Sequence, residues 1–414
     1  MQIQTIKRPY LKLFLTQVGI ILALVGGGIV YFSFAKGGIA GAFDYFFSYA
    51  MSDFGQYLFF SVQENPYVGT FHTMYTPLNF LLLMPFTFFC RGNEIFDRLS
   101  EVSVEEYNKV VVTSGAFWLS YAPYVLLFIA LYVLLLRKLL PEDMQEKTWF
   151  SLALIFSNLG IYAISRGSNV QQVLLLLLVF VWAYRSPKAW LKELALLSLA
   201  AAGVCKYYPF IFGVLLIKEK DFKGVLRVML YSIPLFVLPF LCYEGGLTNL
   251  SLYFDNLGEF VYGENRISAG NNLSAYSFVY KIALLFGGGE ESGALRVVAL
   301  VVCFAILVIC SVLSIVSDNR FAQYVLFNCA MTLVCPVSYY YLVIFLIFPI
   351  VEYVREWNAM DQGRKIYYLV FFSICGFLPS LVLRPYVLQT LLYVGAIGIE
   401  WVHLTKKQQQ KERT

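Results

Sequence analysis

The chain has 414 residues, of which 59% are hydrophobic and 14% charged, with a mean hydropathy of +0.68 and a formal net charge of +5. That composition is too apolar for a water-soluble fold and is expected of a polytopic membrane protein. At roughly 20 residues per crossing about a dozen spans fit, which leaves little room for a separate soluble domain. The basic balance does not point to nucleic acid, because the Lys and Arg residues are spread along short loops between apolar runs, where they orient a membrane protein. Cys205, Cys242, Cys303, Cys310, Cys329 and Cys375 sit inside apolar runs with no C-x-x-C pair and no His cluster beside them, which argues against a disulfide framework or a zinc site.

In chain order, the first apolar run covers residues 11–34 after Lys7, Arg8 and Lys12. It is too long for a signal-peptide core and is expected to be a retained anchor running outward. A polar, aromatic stretch from Lys36 to Pro77 follows and holds Ser52-Asp53-Phe54, Asn65-Pro66-Tyr67 and Met74-Tyr75-Thr76-Pro77. Residues 76–89 are short and carry Pro77 and Pro85, so they read as a half-helix dipping into the membrane, with 91–109 staying on the same side. Spans are expected at 115–136 and 149–165, the second reaching Arg166-Gly167-Ser168-Asn169, then at 170–184 and 195–205. Lys206-Tyr207-Tyr208-Pro209 breaks the helix before a short limb at 210–217, and 225–243 leads to a second long outer loop at 244–291. Five more spans are expected at 294–316, 322–334, 341–354, 366–382 and 387–403, the last entering a basic tail at 406–413.

This drawing is a single all-α membrane domain of about 12 transmembrane helices. Residues 35–114 form a first outer loop with juxtamembrane half-helices, 244–293 a second outer loop, and 404–414 a cytoplasmic tail. It puts about 21 of the 31 Lys and Arg residues on one side, the asymmetry of cytoplasmic loops. Both termini are then cytoplasmic in a multi-pass protein of the cell (plasma) membrane. Making 76–89 a full crossing would move Arg137-Lys138, Arg185 and Lys188 outside, against that asymmetry.

The drawing also collects Asp53, His72, Arg166, Lys206 and Arg384 on the outer side. Charge near the hydrocarbon boundary is costly unless it is paired, snorkels or serves a function. Several cations converging with one carboxylate suit an anionic lipid headgroup undergoing acid–base chemistry. Each residue also has an ordinary explanation. Asp53 caps a juxtamembrane helix equally well, Arg166-Gly167-Ser168-Asn169 makes a plain turn, and Lys206 beside two tyrosines snorkels and packs on their rings. Arg384 before Pro385 fits a helix-end snorkeller, and His72 an interfacial side chain.

The order of these motifs resembles GT-C superfamily glycosyltransferases. The chain is similar to bacterial family 87 enzymes, which use polyprenyl-phosphate mannose, and to the catalytic subunit of the first GPI mannosyltransferase. The resemblance rests on Ser52-Asp53-Phe54, Asn65-Pro66-Tyr67, Tyr75-Thr76-Pro77, Ser165-Arg166-Gly167-Ser168-Asn169, Lys206-Tyr207-Tyr208-Pro209, Asn271-Asn272-Leu273-Ser274-Ala275-Tyr276 and Cys335-Pro336-Val337-Ser338-Tyr339-Tyr340. It implies a GT-C-like fold and an inverting enzyme of the outer membrane face. Such an enzyme moves a hexose, by family habit mannose, from a polyprenyl-phosphate donor to a lipid or glycan acceptor of the cell envelope.

Carried over residue by residue, Asp53 matches the general base, and Arg166 and Lys206 match positions near the donor phosphate, with Arg384 as a further candidate. His72, Tyr75, Asn169, Tyr207, Asn272 and Tyr339 are the substrate-binding candidates. Membrane lipids surround the spans, and neither a nucleic acid nor a resident cofactor is expected. The GPI enzyme carries a paired Asp-x-Asp where this chain has Asp53 after Met51-Ser52, which weakens the case for a divalent metal. Family 87 enzymes often carry His after a Ser-Pro motif, where this chain has Tyr339-Tyr340-Tyr341. A rival class is a lipid-linked glycan flippase or an envelope polysaccharide polymerase; a flippase would line its spans with charge, whereas here the charges gather at one face.

Overall fold

The computed structural model describes residues 19, 52–69, 72–89, 114–142, 144–262, 272–286, 293–377 and 386–413. The expected first span at 11–34, residue 19 apart, the segment 91–109 and Arg384 lie outside the described residues. Among the described residues all regular structure is helical.

Helix α1 (Ser52–Val62) and the short α2 (Leu78–Leu81) form the first region, and a single 3-10 turn at Met84–Phe86 follows α2. Pro77 opens α2 and Pro85 sits in that turn, so this stretch stays too short to cross a membrane. The long α3 (Gly115–Leu139) ends on Arg137 and Lys138.

The span expected at 149–165 is broken into α4 (Lys147–Ile155) and α5 (Asn158–Arg166), bent by 53°. Ser157 starts α5 by accepting a hydrogen bond from the Leu159 backbone N–H at 3.3 Å. A Cβ at position 160 would stand 2.1 Å from the Ile155 carbonyl oxygen, so only glycine lets the chain turn this sharply.

Helices α6 (Val170–Ala183) and α7 (Ala189–Cys205) pack along each other, and the Tyr208–Gly213 3-10 turn leads into α8 (Val214–Lys218). Helix α9 (Phe222–Val237) continues through a 3-10 segment to Cys242 as one span. The region expected to be a second outer loop contains α10 (Asn249–Tyr262) and α11 (Ala275–Leu285). Their aromatic residues bury against the bundle, which pays for the ordering that a solvated loop would not recover.

The remaining helices are α12 (Gly293–Val316), α13 (Arg320–Leu333), α14 (Ile347–Glu356), α15 (Gln362–Phe371) and α16 (Tyr386–Arg413). The spans expected at 341–354 and 366–382 are broken, the first by a 3-10 stretch at Tyr340–Leu346 and the second by a π-helical turn at Phe372–Phe377. Helix α16 continues without a break from the apolar run through Lys406 and Lys407 into the basic tail.

Among the described residues four helices are long and apolar enough to cross a membrane, and five if the bent α4–α5 pair counts as one span. This is a membrane protein. Helix α12 shows the logic, because Val297, Val301, Phe304, Val308 and Val312 are exposed along one face while Ala299, Cys303, Cys310 and Ser314 are buried on the other. A helix apolar on both faces has lipid, not water, as its outer neighbour.

Polar contacts define two ends of the bundle. At one end Arg166, at the close of α5, meets Asp53 at the start of α1, and Lys206 follows α7. At the other, Arg185 pairs with Glu219, Lys218 with Asp318 at 3.2 Å, and Arg355 with Glu352 and the Leu139 carbonyl. There, too, Arg364 of α15 grips Glu400 of α16.

Candidate functional site

The first end of the bundle is assembled by a close approach between α1 and the turn that ends α5. Gly167 closes α5 in the left-handed region at φ +64, the conformation that a glycine C-cap supplies. A Cβ there would lie 2.4 Å from the Phe54 Cβ. The missing side chain therefore lets Phe54 lie against the turn, where its ring also packs on Tyr121 and Tyr124 at 4.9 Å each.

The neighbours of this contact are the two charged residues. Arg166 Nη2 donates to Asp53 Oδ1 at 2.8 Å. The carboxylate sits in the first turn of α1, where the helix dipole favours it, so the capping reading and the site reading describe the same position. The side chains of Arg166 and Asp53 are 27% and 12% exposed.

Lys206 arrives from the end of α7. Its ammonium stands over the Tyr75 ring at 4.5 Å and faces the Tyr341 ring at 6.0 Å, within cation–π range. Burial lowers its pKa to about 8, with the Asp53 charge opposing that shift. The Asp53 carboxylate thus acts on both cations, and its field also reaches Tyr57, Tyr75 and Tyr341.

Tyr75 is positioned by its neighbours. Its carbonyl accepts from the Tyr67 hydroxyl at 2.8 Å, and its ring stands edge-on to Tyr57 at 5.0 Å. Thr76 fastens the segment to α7 by donating to the Val204 carbonyl at 3.0 Å. Asn79 completes the join: its amide donates to the Thr76 hydroxyl at 3.1 Å and to the Cys205 carbonyl at 3.3 Å, while its oxygen accepts from Asn169 at 2.7 Å. Sequence reasoning missed Asn79. The available signal was a lone Asn inside an apolar run, three residues after Thr76.

The opposite wall comes from Tyr339 and Tyr341, whose rings lie 5.9 Å apart. Between them Tyr340 turns into the bundle, accepting from Asn158 at 2.7 Å and donating to the Cys375 carbonyl at 3.1 Å. Asn272 holds the turn before them. Its amide donates to the Pro336 carbonyl at 2.9 Å, and its oxygen accepts from the backbone N–H of Ser274 and of Ser338 at 3.0 Å each.

The structure thus brings Asp53, Arg166, Lys206 and Tyr75 together, with Tyr341 as an unforeseen member and Tyr339 tilted against it. It gives Asn169 and Asn272 a bracing role, since both are 1% exposed and spend their amides on the protein. Asn169 donates to Asn79 in α2 and Asn272 to the Pro336 carbonyl, as buried amide N–H groups need. Tyr207 is half exposed beside Lys206. His72 contacts the Gly69 carbonyl at 3.0 Å and Glu259 of α10 at 3.5 Å.

Two cations, one carboxylate and several aromatic faces make a place where an anionic group can be held next to a proton acceptor. Between α2, α7 and α9, Leu78, Leu81, Leu197, Pro234, Leu235, Leu238 and Pro239 line an apolar groove of about 390 Å³. The sequence model of glycosyltransferase family 87 matches residues 71–338, which include Tyr75, Arg166, Lys206 and the 335–338 turn and begin after Asp53. No curated protein and no solved structure matches the chain. The family match covers more than half of the chain, and the chain belongs to glycosyltransferase family 87.

Proposed function

We propose that this family 87 glycosyltransferase takes a hexose, by family habit mannose, from a polyprenyl-phosphate carrier and passes it with inversion to a hydroxyl of a lipid or glycan acceptor. The observation that carries the reading is the convergence of Asp53, Arg166 and Lys206, in a chain whose α2, which follows Tyr75 and Thr76, also lines an apolar groove. A phosphodiester on a long hydrocarbon needs that combination of fixed cations and apolar surface, and a lipid-borne donor needs no nucleotide-binding domain.

In this reading the acceptor oxygen attacks the anomeric carbon from the face opposite the phosphate. The bond from that carbon to the phosphate oxygen breaks, the electron pair leaves with the polyprenyl phosphate, and the hydroxyl proton passes to Asp53. General-base assistance of this kind supplies roughly 10²–10⁴-fold. Arg166 and Lys206 stabilise the charge building on the leaving phosphate. Arg384 remains a proposed third cation. The rings of Tyr75, Tyr339 and Tyr341 offer stacking surfaces for the sugar, with Tyr207 and His72 at the margin. The reading requires no resident cofactor.

Charge supports one sidedness. The bundle end opposite the site carries Arg137, Lys138, Arg185 and Lys218 at or beside helix ends, which supports a cytoplasmic assignment for that end and an outer position for the site. The short and broken helices then complete a count of about twelve crossings, in a plasma-membrane protein with both termini cytoplasmic.

The test follows consumption of polyprenyl-phosphate mannose by membranes containing the wild-type protein or Asp53→Asn at equal expression, with product glycolipids read by mass spectrometry. Wild-type turnover with an inactive variant supports both the reaction and the base. Equal activity removes Asp53 from the chemistry. Failure of wild type with every polyprenyl-phosphate sugar moves the flippase or polymerase reading ahead.

A further inference from the structure

The phosphate-binding candidate Arg166 and the base candidate Asp53 are in contact with each other at 2.8 Å. Both roles assigned to them call on the same guanidinium, whose Nη2 the carboxylate holds, so a phosphate taking that nitrogen displaces the carboxylate from it. The backbones beneath the pair are fixed, because Gly167 abuts Phe54 and the Tyr121 hydroxyl donates to the Ile164 carbonyl one turn earlier. The Arg166 side chain, by contrast, is partly open to the site. Lys206 stands on the Tyr75 face and feels the same carboxylate.

We propose that Arg166 is a shared latch: it holds Asp53 while the donor site is empty, and the donor phosphate takes the guanidinium over, leaving the carboxylate for the acceptor hydroxyl. The consequence is an order of events, donor before acceptor, built from one cation with two anionic claimants. This rests on the polyprenyl-phosphate reading of the site. It adds that the base opposes donor binding, which a catalytic carboxylate standing apart from the phosphate cations would not do. A coupling of this kind between two ligands of one side chain falls in the range of roughly 5- to 150-fold in affinity.

The experiment is a double-mutant cycle on the full chain in detergent micelles, titrated calorimetrically with sugar-free polyprenyl phosphate. The proteins are wild type, Asp53→Asn, Arg166→Gln and the double variant, each checked by thermal melting. The latch requires Asp53→Asn to bind about tenfold more tightly than wild type, and this gain to shrink to about threefold or less in the Arg166→Gln background. Unchanged or weaker binding by a normally melting Asp53→Asn protein overturns the latch, as does an equal gain with and without Arg166. Asp53→Ser, which removes the charge without adding an amide, is the second probe should Asn impair folding. Donor consumption by wild type is measured alongside. If wild type turns over polyprenyl-phosphate mannose while the cycle shows no coupling, the latch fails and the enzyme reading stands. If wild type neither binds polyprenyl phosphate nor consumes any polyprenyl-phosphate sugar, the reading of the site fails and takes the latch with it.

Discussion

Two Arg–carboxylate pairs stand at opposite ends of this bundle and differ in how they are enclosed. At the candidate site Arg166 reaches Asp53 from a partly open position. At the other end Arg364 meets both oxygens of Glu400 through Nη2 at 2.8 Å, adds Nε at 3.2 Å, and shares Glu400 with the Tyr368 hydroxyl at 2.6 Å. Glu400 is 0% exposed and Arg364 6%. The same two functional groups therefore do different work. A buried pair with extra hydrogen bonds fixes α15 to α16 and is closed to solvent anions. A partly open pair can trade one anion for another.

Substitutions separate the two behaviours. Asp53→Asn is expected to lower sugar transfer the most, by roughly 10²–10⁴-fold, with little change in melting temperature; turnover assays paired with thermal melts check this. Glu400→Gln is expected to do the reverse, since breaking a buried pair from one side costs about 3–5 kcal/mol. Its melting transition should drop sharply, while the protein that remains folded keeps its turnover number. Comparable stability losses at both ends would erase the distinction.

Gly167→Ala probes the join between the two helices at the site. Left-handed strain costs about 1–3 kcal/mol, and the added methyl meets Phe54, so both melting temperature and transfer rate are expected to fall together. Lys206 gives the comparison a pH dependence. Its folded pKa is lowered to about 8, so the ammonium is lost as pH rises through that value and the donor KM should climb. Lys206→Arg, charged throughout, should flatten that rise. The smallest effect is expected at the rim, where His72→Ala removes a partly exposed contact to Glu259 and should change stability by no more than about 1 kcal/mol.

Much of the site was legible because its residues break an apolar background. Asp53, Arg166 and Lys206 stand out at span ends for the simple reason that charge at a hydrocarbon boundary needs a purpose. Asn79 and Tyr341 were not singled out, since each acquires its meaning from a segment more than a hundred residues away. Asn169 and Asn272 were legible as polar residues in motifs, yet what their amides bond to was not.

Composition and the spacing of apolar runs determined that this chain is a helical membrane protein and which end of each helix carries charge, because hydrophobic length and charge placement are local properties of the sequence. Only the tertiary structure decided that Arg166 turns its guanidinium to Asp53, that Lys206 rests on Tyr75, and that helices form at Asn249–Tyr262 and Ala275–Leu285. Those outcomes depend on which segments pack together, and a hydrogen bond or a ring contact is chosen by the partner that packing delivers.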